Sequence, residues 1–306
     1  MRNIFFISSV YVAVVMVWGA APAGARDVFV NNRAGDDRQL GHSPETGRPG
    51  IGPVRTISRA MQLAGRGGRV VLASTDQPYR ESISLSGGAQ SGYAGQPFTI
   101  VGGGATLDGS RAIPPDAWQH SGGDVFRCQA PTMAHQMLFL DGQPVRRRQI
   151  NSAGEAPAGL APLEWALLGG RIYLRVEEGR LPASYALRYA GLQTGITLYQ
   201  VEHIEIVDLV VQGFSLDGVN AHDGVVDARL VGLNCRANGR SGVSVGGTSQ
   251  LTLDACQLYD NGRVQFRMEG LAKAWLEGTQ LDPATAPATS IRGGQLFIDG
   301  QRAPGR

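Results

Sequence analysis

Six residues in the last third of the chain have types and spacing that could do chemistry: Asn220, His222, Asp223, Arg267, Glu269 and Arg292. A histidine and two carboxylates can move protons, and two arginines with an amide can hold an oxyanion. They form no local motif, and meet only if stretches about two dozen residues apart stack on one another. With Val219, Val243, Phe266 and Ile291 as equivalent inward positions, Asn220, Ser244, Arg267 and Arg292 share one outward column. The next column holds His222, Gly246, Glu269 and Gly294. Arg267 and Arg292 then lie about 5 Å apart, where like charges repel and an anionic ligand relieves the repulsion. His222 and Glu269 lie roughly 10 Å apart across Gly246, which leaves a groove with Asp223 at its side. Two carboxylates could share acid and base roles there, or His222 with Asp223 could abstract a proton while Arg267 holds the developing charge. The alternative is a solvated face in which Glu269 partners the arginines and His222-Asp223-Gly224 is a polar turn.

The stacking is written in a period of 22 to 24 residues. Ile206, Leu230, Leu253, Leu276 and Ile298 each open a short apolar strand, and a Gly or acidic residue follows within two places, where a coil must turn a corner. Such self-similarity signals a solenoid. Segments between the anchors are too rich in Gly and β-branched residues for helices, and a leucine-rich repeat would need an Asn and Leu ladder that is missing. The second half of each turn, as in Gly218-Val219-Asn220-Ala221 and Gly242-Val243-Ser244-Val245, alternates apolar and polar residues like a half-exposed strand. Asn238-Gly239 and Asn261-Gly262 ahead of two such strands suit positive φ. The reading is an all-β chain, a right-handed parallel β-helix with a short N-terminal capping helix.

Composition agrees with one elongated domain: 43 of 306 residues are Gly and 18% are charged, which suits a turn-dense β protein rather than a disordered one. Residues 1 to 25 read as a leader, with Arg2, an apolar run from Ile4 to Val17 and the small-residue site Ala23-Gly24-Ala25. Its alternative is an uncleaved anchor, although the run is short for a bilayer span. The expectation is export, to a periplasm or the medium, with no membrane span after cleavage. Without the leader 27 basic and 26 acidic residues remain, a balance that gives no case for nucleic acid. Cys235 aligns with Leu258 and Cys256 with Leu233, so both thiols point inward, roughly 8 Å apart and too far for a relaxed disulfide.

Between leader and repeats, Asp27-Val28-Phe29-Val30, Gly35-Asp36-Asp37, Arg55-Thr56-Ile57 to Ala64, Gly67 to Leu72 and Tyr79-Arg80-Glu81 resemble the start of the pectate-lyase-like superfamily of right-handed parallel β-helix proteins. Ile57, Ala60, Met61 and Ala64 give the apolar stripe a capping helix needs. Leu107-Asp108-Gly109, Trp118, Met137 to Pro144 and Arg171-Ile172-Tyr173-Leu174 are similar to the module that secreted β-helix glycoside hydrolases, xylosidase-like and fucosidase-like, insert ahead of the main coil. The resemblance implies residues 26–110 as cap and first turns, 111–195 as an inserted β-rich module and 196–306 as regular turns. It implies a carbohydrate-active protein, a polysaccharide lyase or glycoside hydrolase on an acidic or plant-type polysaccharide. The lyase signatures WiDH and RxPxxR, the polygalacturonase set NTD, DD and SHG, and the esterase QDTL are absent from the repeats. A non-catalytic carbohydrate-binding or surface-structural coil therefore stays open.

On this reading Glu269, His222 and Asp223 are the catalytic candidates, and Arg267, Arg292 and Asn220 would hold a polysaccharide or oligosaccharide. No cofactor and a monomer are expected. Calcium would need several convergent oxygens, and only Glu269 and Asp223 stand near one another. Trp118 and Trp165 could stack on sugars but read as buried, and Arg146-Arg147-Arg148 reads as a solvated edge.

Overall fold

The computed structural model describes residues 27–47, 49–131, 135–150 and 159–303. The leader expected at residues 1–25 lies outside them. Among the described residues no helix is long and apolar enough to cross a membrane.

The period closes as a coil. Ile206 pairs with Leu230, Leu230 with Leu253, Leu253 with Leu276 and Leu276 with Ile298, all between parallel strands. The same column continues back through Ile100, Val70 and Val28. Ile206, Leu230, Leu253 and Leu276 are buried, and each such side chain adds about 1.5–3 kcal/mol of transfer free energy. The corner follows two residues after the anchor, where Asp208, Gly232, Ala255 and Gly278 all have φ between 50 and 63°. Repeating one left-handed residue at each corner lets every turn bend at the same place.

Three faces result. The anchor strands make the first, and Asn234–Arg236, Gln257–Tyr259 and Gln280–Leu281 line the second. The third runs through Ile83–Ser86, Ile196–Tyr199, Asp217–Asp223, Ser241–Val245 and the first part of Val264–Glu277. One apolar core runs along the inside from Val28 to Leu296, so the protein is a parallel β-helix.

The helix Ile57–Ala64 covers the N-terminal end with Ile57, Ala60 and Met61 buried. Its first backbone N–H groups need acceptors, and the carboxylate of Glu81 takes those of Ile57 and Ser58 at 2.9 and 3.1 Å. Asp37, from the Gly-Asp loop, takes those of Arg55 and Thr56 at 2.8 and 2.9 Å. Between Phe98–Asp108 and Ile196–Tyr199 the chain leaves the coil and forms two four-stranded antiparallel sheets with their own core around Trp165, Ile172 and Leu138. The indole N–H of Trp165 donates to the carbonyl of Val145 at 2.9 Å, which places Trp165 in that core and away from any sugar.

One sequence expectation needs correction, at two places. Asn238-Gly239 and Asn261-Gly262 do not take positive φ; the preceding Ala237 and Asp260 do, at 51 and 56°. This turns the Asn side chains inward. The glycines serve close approach instead, since a Cβ on Gly239 would lie 2.4 Å from the Ser215 carbonyl oxygen and one on Gly262 2.4 Å from that of Gly239. The thiols behave as expected: Cys128, Cys235 and Cys256 are buried and free, and Cys235 pairs in register with Leu258.

Candidate functional site

The third face carries the site. Asn220, Ser244 and Arg267 stand in one outward column, on strands Asp217–Asp223, Ser241–Val245 and Val264–Glu277. Val219, Val243 and Phe266 are their inward neighbours, wholly buried, and they fix the strands so that the outward side chains share one surface. His222, Gly246 and Glu269 follow along the face. A Cβ at Gly246 would sit 3.0 Å from the carbonyl oxygen of His222 and 3.9 Å from Cγ of Glu269, so this glycine is the floor between them.

These residues line one cleft of about 370 Å³: Asn220, His222 and Asp223 on one turn, Arg240, Ser244, Gly246 and Gly247 on the next, Arg267 and Glu269 on the third. Five of the six sequence candidates meet there. Arg292 does not belong to its lining.

The phase of the last turn explains Arg292. Phe266 pairs with Thr289, not with Ile291, and Ile291 pairs with Met268. Arg292 therefore faces Glu269, and the expected column of Arg267 beside Arg292 is wrong by two residues. The apolar pattern misleads because Thr289, a polar residue, takes the position that Phe266 holds one turn earlier. With no second arginine stacked on it, Arg267 pairs with Glu269 on its own strand and reaches the Ser244 hydroxyl at 3.3 Å. This Arg267–Glu269 partnership is the one the solvated-face alternative expects.

Arg240 escapes the sequence reading. It follows Asn238-Gly239 at a corner, and its guanidinium is fixed by Asp217, wholly buried, with Nε donating to Oδ1 at 2.9 Å. The Ser241 hydroxyl donates to the same oxygen at 2.5 Å. Hydrogen bonding to Asp217 raises Arg240 above its ordinary value, with a smaller contribution from Glu269, so its charge is fixed and points at the cleft. The available signal is an acid and a base one period apart, at 217 and 240.

Asp223 holds the turn beside it. Its Oδ1 accepts from the backbone N–H groups of Thr248 and Gly224 at 2.9 Å each and from the Thr248 hydroxyl at 3.2 Å. Those bonds, the Thr248 N–H first, hold its carboxyl below the ordinary value, with a minor contribution from His222. A carboxyl so held stays ionised and is a poor proton donor. His222 packs its ring against Tyr199, centroids 5.8 Å apart. Among the described residues no group of three His, Cys, Asp or Glu side chains could hold a metal ion.

No family model matches the sequence, and no curated protein matches it. Solved structures are similar in fold. A glycoside hydrolase superposes with a TM-score of 0.54 at 10% identity over 83% of this chain and 74% of that one. The complex of XylC with xylose gives 0.44 at 12%, over 89% and 69%, and pectate lyase Pel9A 0.30 at 12%, over 91% and 78%. At such identities the first of these marks a shared fold.

Proposed function

We propose that this is an exported carbohydrate-active β-helix protein that acts on an acidic polysaccharide by β-elimination. The observation that carries the reading is the convergence of two cations, Arg240 and Arg267, with the base candidate His222 over a floor with no side chain at Gly246. A uronate carboxylate bound by the guanidinium groups gains charge-assisted hydrogen bonds, and its attraction acidifies the adjacent ring carbon. His222, its ring packed against Tyr199, removes the proton at that carbon. The electron pair forms the ring double bond, and the glycosidic C–O bond breaks, its oxygen leaving as a hydroxyl once protonated. Glu269, held by Arg267, lies on the far side of Gly246 and helps fix that guanidinium, while the imidazolium formed at His222, or water, gives the leaving oxygen its proton.

Hydrolysis by a carboxylate pair fits less well, because one carboxyl must donate a proton, and Asp223 is kept ionised on the Thr248 turn while Glu269 is engaged by Arg267. A second reading is binding without turnover. It is favoured by the Arg267–Glu269 pair, which engages one of the cleft's two carboxylates.

The test is purified protein incubated with polygalacturonate, alginate, glucuronoxylan and neutral xylan. Ultraviolet absorbance from a new conjugated double bond marks the unsaturated product of elimination. Reducing ends without absorbance mark hydrolysis and overturn the elimination mechanism. Binding of an acidic polymer with neither signal selects the second reading.

A further inference from the structure

The middle arginine of Arg146-Arg147-Arg148 is not part of a solvated edge. Its guanidinium lies over the ring of buried Trp165, 5.1 Å from the centroid, while Arg146 points outward and pairs with Glu164 at 3.6 Å. Nε and Nη1 of Arg147 are shielded from solvent and meet no acceptor, and no carboxylate among the described residues forms an ion pair with it. Burial first, and then the like charge of Arg263, pull Arg147 below its ordinary value. A cation so placed is costly until an anion joins it.

A place for that anion exists. Arg147 lines a cavity of about 430 Å³ at the seam between the inserted module and the coil. Met137, Pro144 and Val145 come from the module, and Asn261, Gly262, Ala284 and Thr285 from the coil. Asp260 stands on the coil side, and burial raises its carboxyl above the ordinary value. One fixed cation, a patch of apolar side chains and several hydrogen-bonding groups in one small cavity match a sugar ring that bears a carboxylate. The cavity also adjoins the cleft: Gly262 of its lining stacks so closely on Gly239 that a Cβ there would lie 2.4 Å from the Gly239 carbonyl oxygen, and Gly239 precedes Arg240, which lines the cleft.

We infer that the seam cavity is a second subsite for an acidic sugar of the same polymer, with the Arg147 guanidinium as its carboxylate anchor. This rests on the acidic-polysaccharide reading of the cleft and adds to it a length requirement: an oligomer must be long enough to reach both sites.

The experiment titrates galacturonate dimers and hexamers into wild type, Arg147→Gln, Ala284→Glu and Arg267→Ala. Ala284 is exposed at the cavity mouth, so a carboxylate there repels an anionic sugar without touching the Trp165 core. Wild type should bind the hexamer more tightly than the dimer. Arg147→Gln and Ala284→Glu should each weaken the hexamer by about tenfold or more and spare the dimer. Wild-type hexamer affinity in both variants overturns the subsite while a loss in Arg267→Ala keeps the cleft reading. A loss in Arg147→Gln alone, with a lowered melting temperature, also overturns it, since the arginine would then serve only to pack on Trp165. No binding of either oligomer by wild type removes the cleft reading, and the subsite with it.

Discussion

The side-chain oxygen of Asn261 accepts from both the backbone N–H and the side-chain amide of Asn238, at 3.0 and 3.1 Å, one turn away inside the coil. Asn261 in turn donates to the Cys235 carbonyl at 3.0 Å and to the Gln265 side chain at 2.7 Å, and Asn238 accepts from the Phe214 N–H at 3.2 Å. Asn238, Asn261 and Gln265 are all wholly buried. This row ties the corners next to the functional face to one another in a place where water cannot substitute.

Replacing Asn261 with Leu should therefore destabilise far beyond its change in volume. It orphans the Asn238 N–H, at about 1–3 kcal/mol for an unsatisfied buried group, and removes the side-chain bonds to the Cys235 carbonyl and to Gln265. A urea unfolding curve checks this; a midpoint within error of wild type would mean that the row is decorative.

Leu253→Asp places a charge in the middle of the anchor column, between Leu230 and Leu276, with no partner in reach. The cost should be several kcal/mol, enough to leave little folded protein at about 37 °C. Circular dichroism of the soluble fraction measures it.

Burial pushes the Cys128 thiol up to about 12 and the Cys256 thiol to about 11. A thiol reagent should find no reactive cysteine in the native protein at about pH 8, and all three after denaturation without reductant. Recovery of fewer would reveal a disulfide that the register disallows.

Asp223 offers a test by pH. Its carboxyl is depressed in the folded state, so its contribution to stability is present above the unfolded value, about 4, and is lost as pH falls through the folded value. Asp223→Asn should be less stable than wild type at about pH 6, and the difference should shrink as pH is lowered below about 4. Melting temperatures across that range decide it, and a constant gap would show that the substitution acts through hydrogen bonding rather than through charge.

Arg267→Ala should weaken a uronate oligomer by about 1.5–3 kcal/mol, the worth of a charge-assisted hydrogen bond, with His222→Gln removing turnover and sparing binding. Arg292→Ala should change binding little, since Arg292 faces Glu269 from the following turn and does not line the cleft. Calorimetry with galacturonate oligomers ranks the three. Equal losses for both arginines would restore the paired column that the register removes.

Apolar residues make most of this legible in advance. Five anchors at near-constant spacing specify strand register because an inward position tolerates little else, and the corner residues mark where each turn bends. The reading slips where polar residues face inward: Gln265 is buried against Asn261, and Thr289 takes a position in line with Phe266. Arg292 is misplaced for that reason. Arg240 and Arg147 are misjudged for another, since their surroundings are made by residues remote in sequence, Asp217 for one and Trp165 for the other.

The excursion between Asp108 and Ile196 has a consequence for how the coil comes to exist. Ile206 meets Leu230 within a single repeat of the sequence, whereas it meets Ile100 only across the whole inserted module. Closing the short loops costs less entropy and rewards each step with a neighbour, so the turns after Ile196 can assemble by local zippering. The N-terminal turns close on one another through Val28, Val70 and Ile100, and only their junction with the later stack has to wait for the module to be spanned. The polar cleft lies wholly within the early-forming stack and the seam cavity does not, so a chain caught midway would already shape the first and still lack the second.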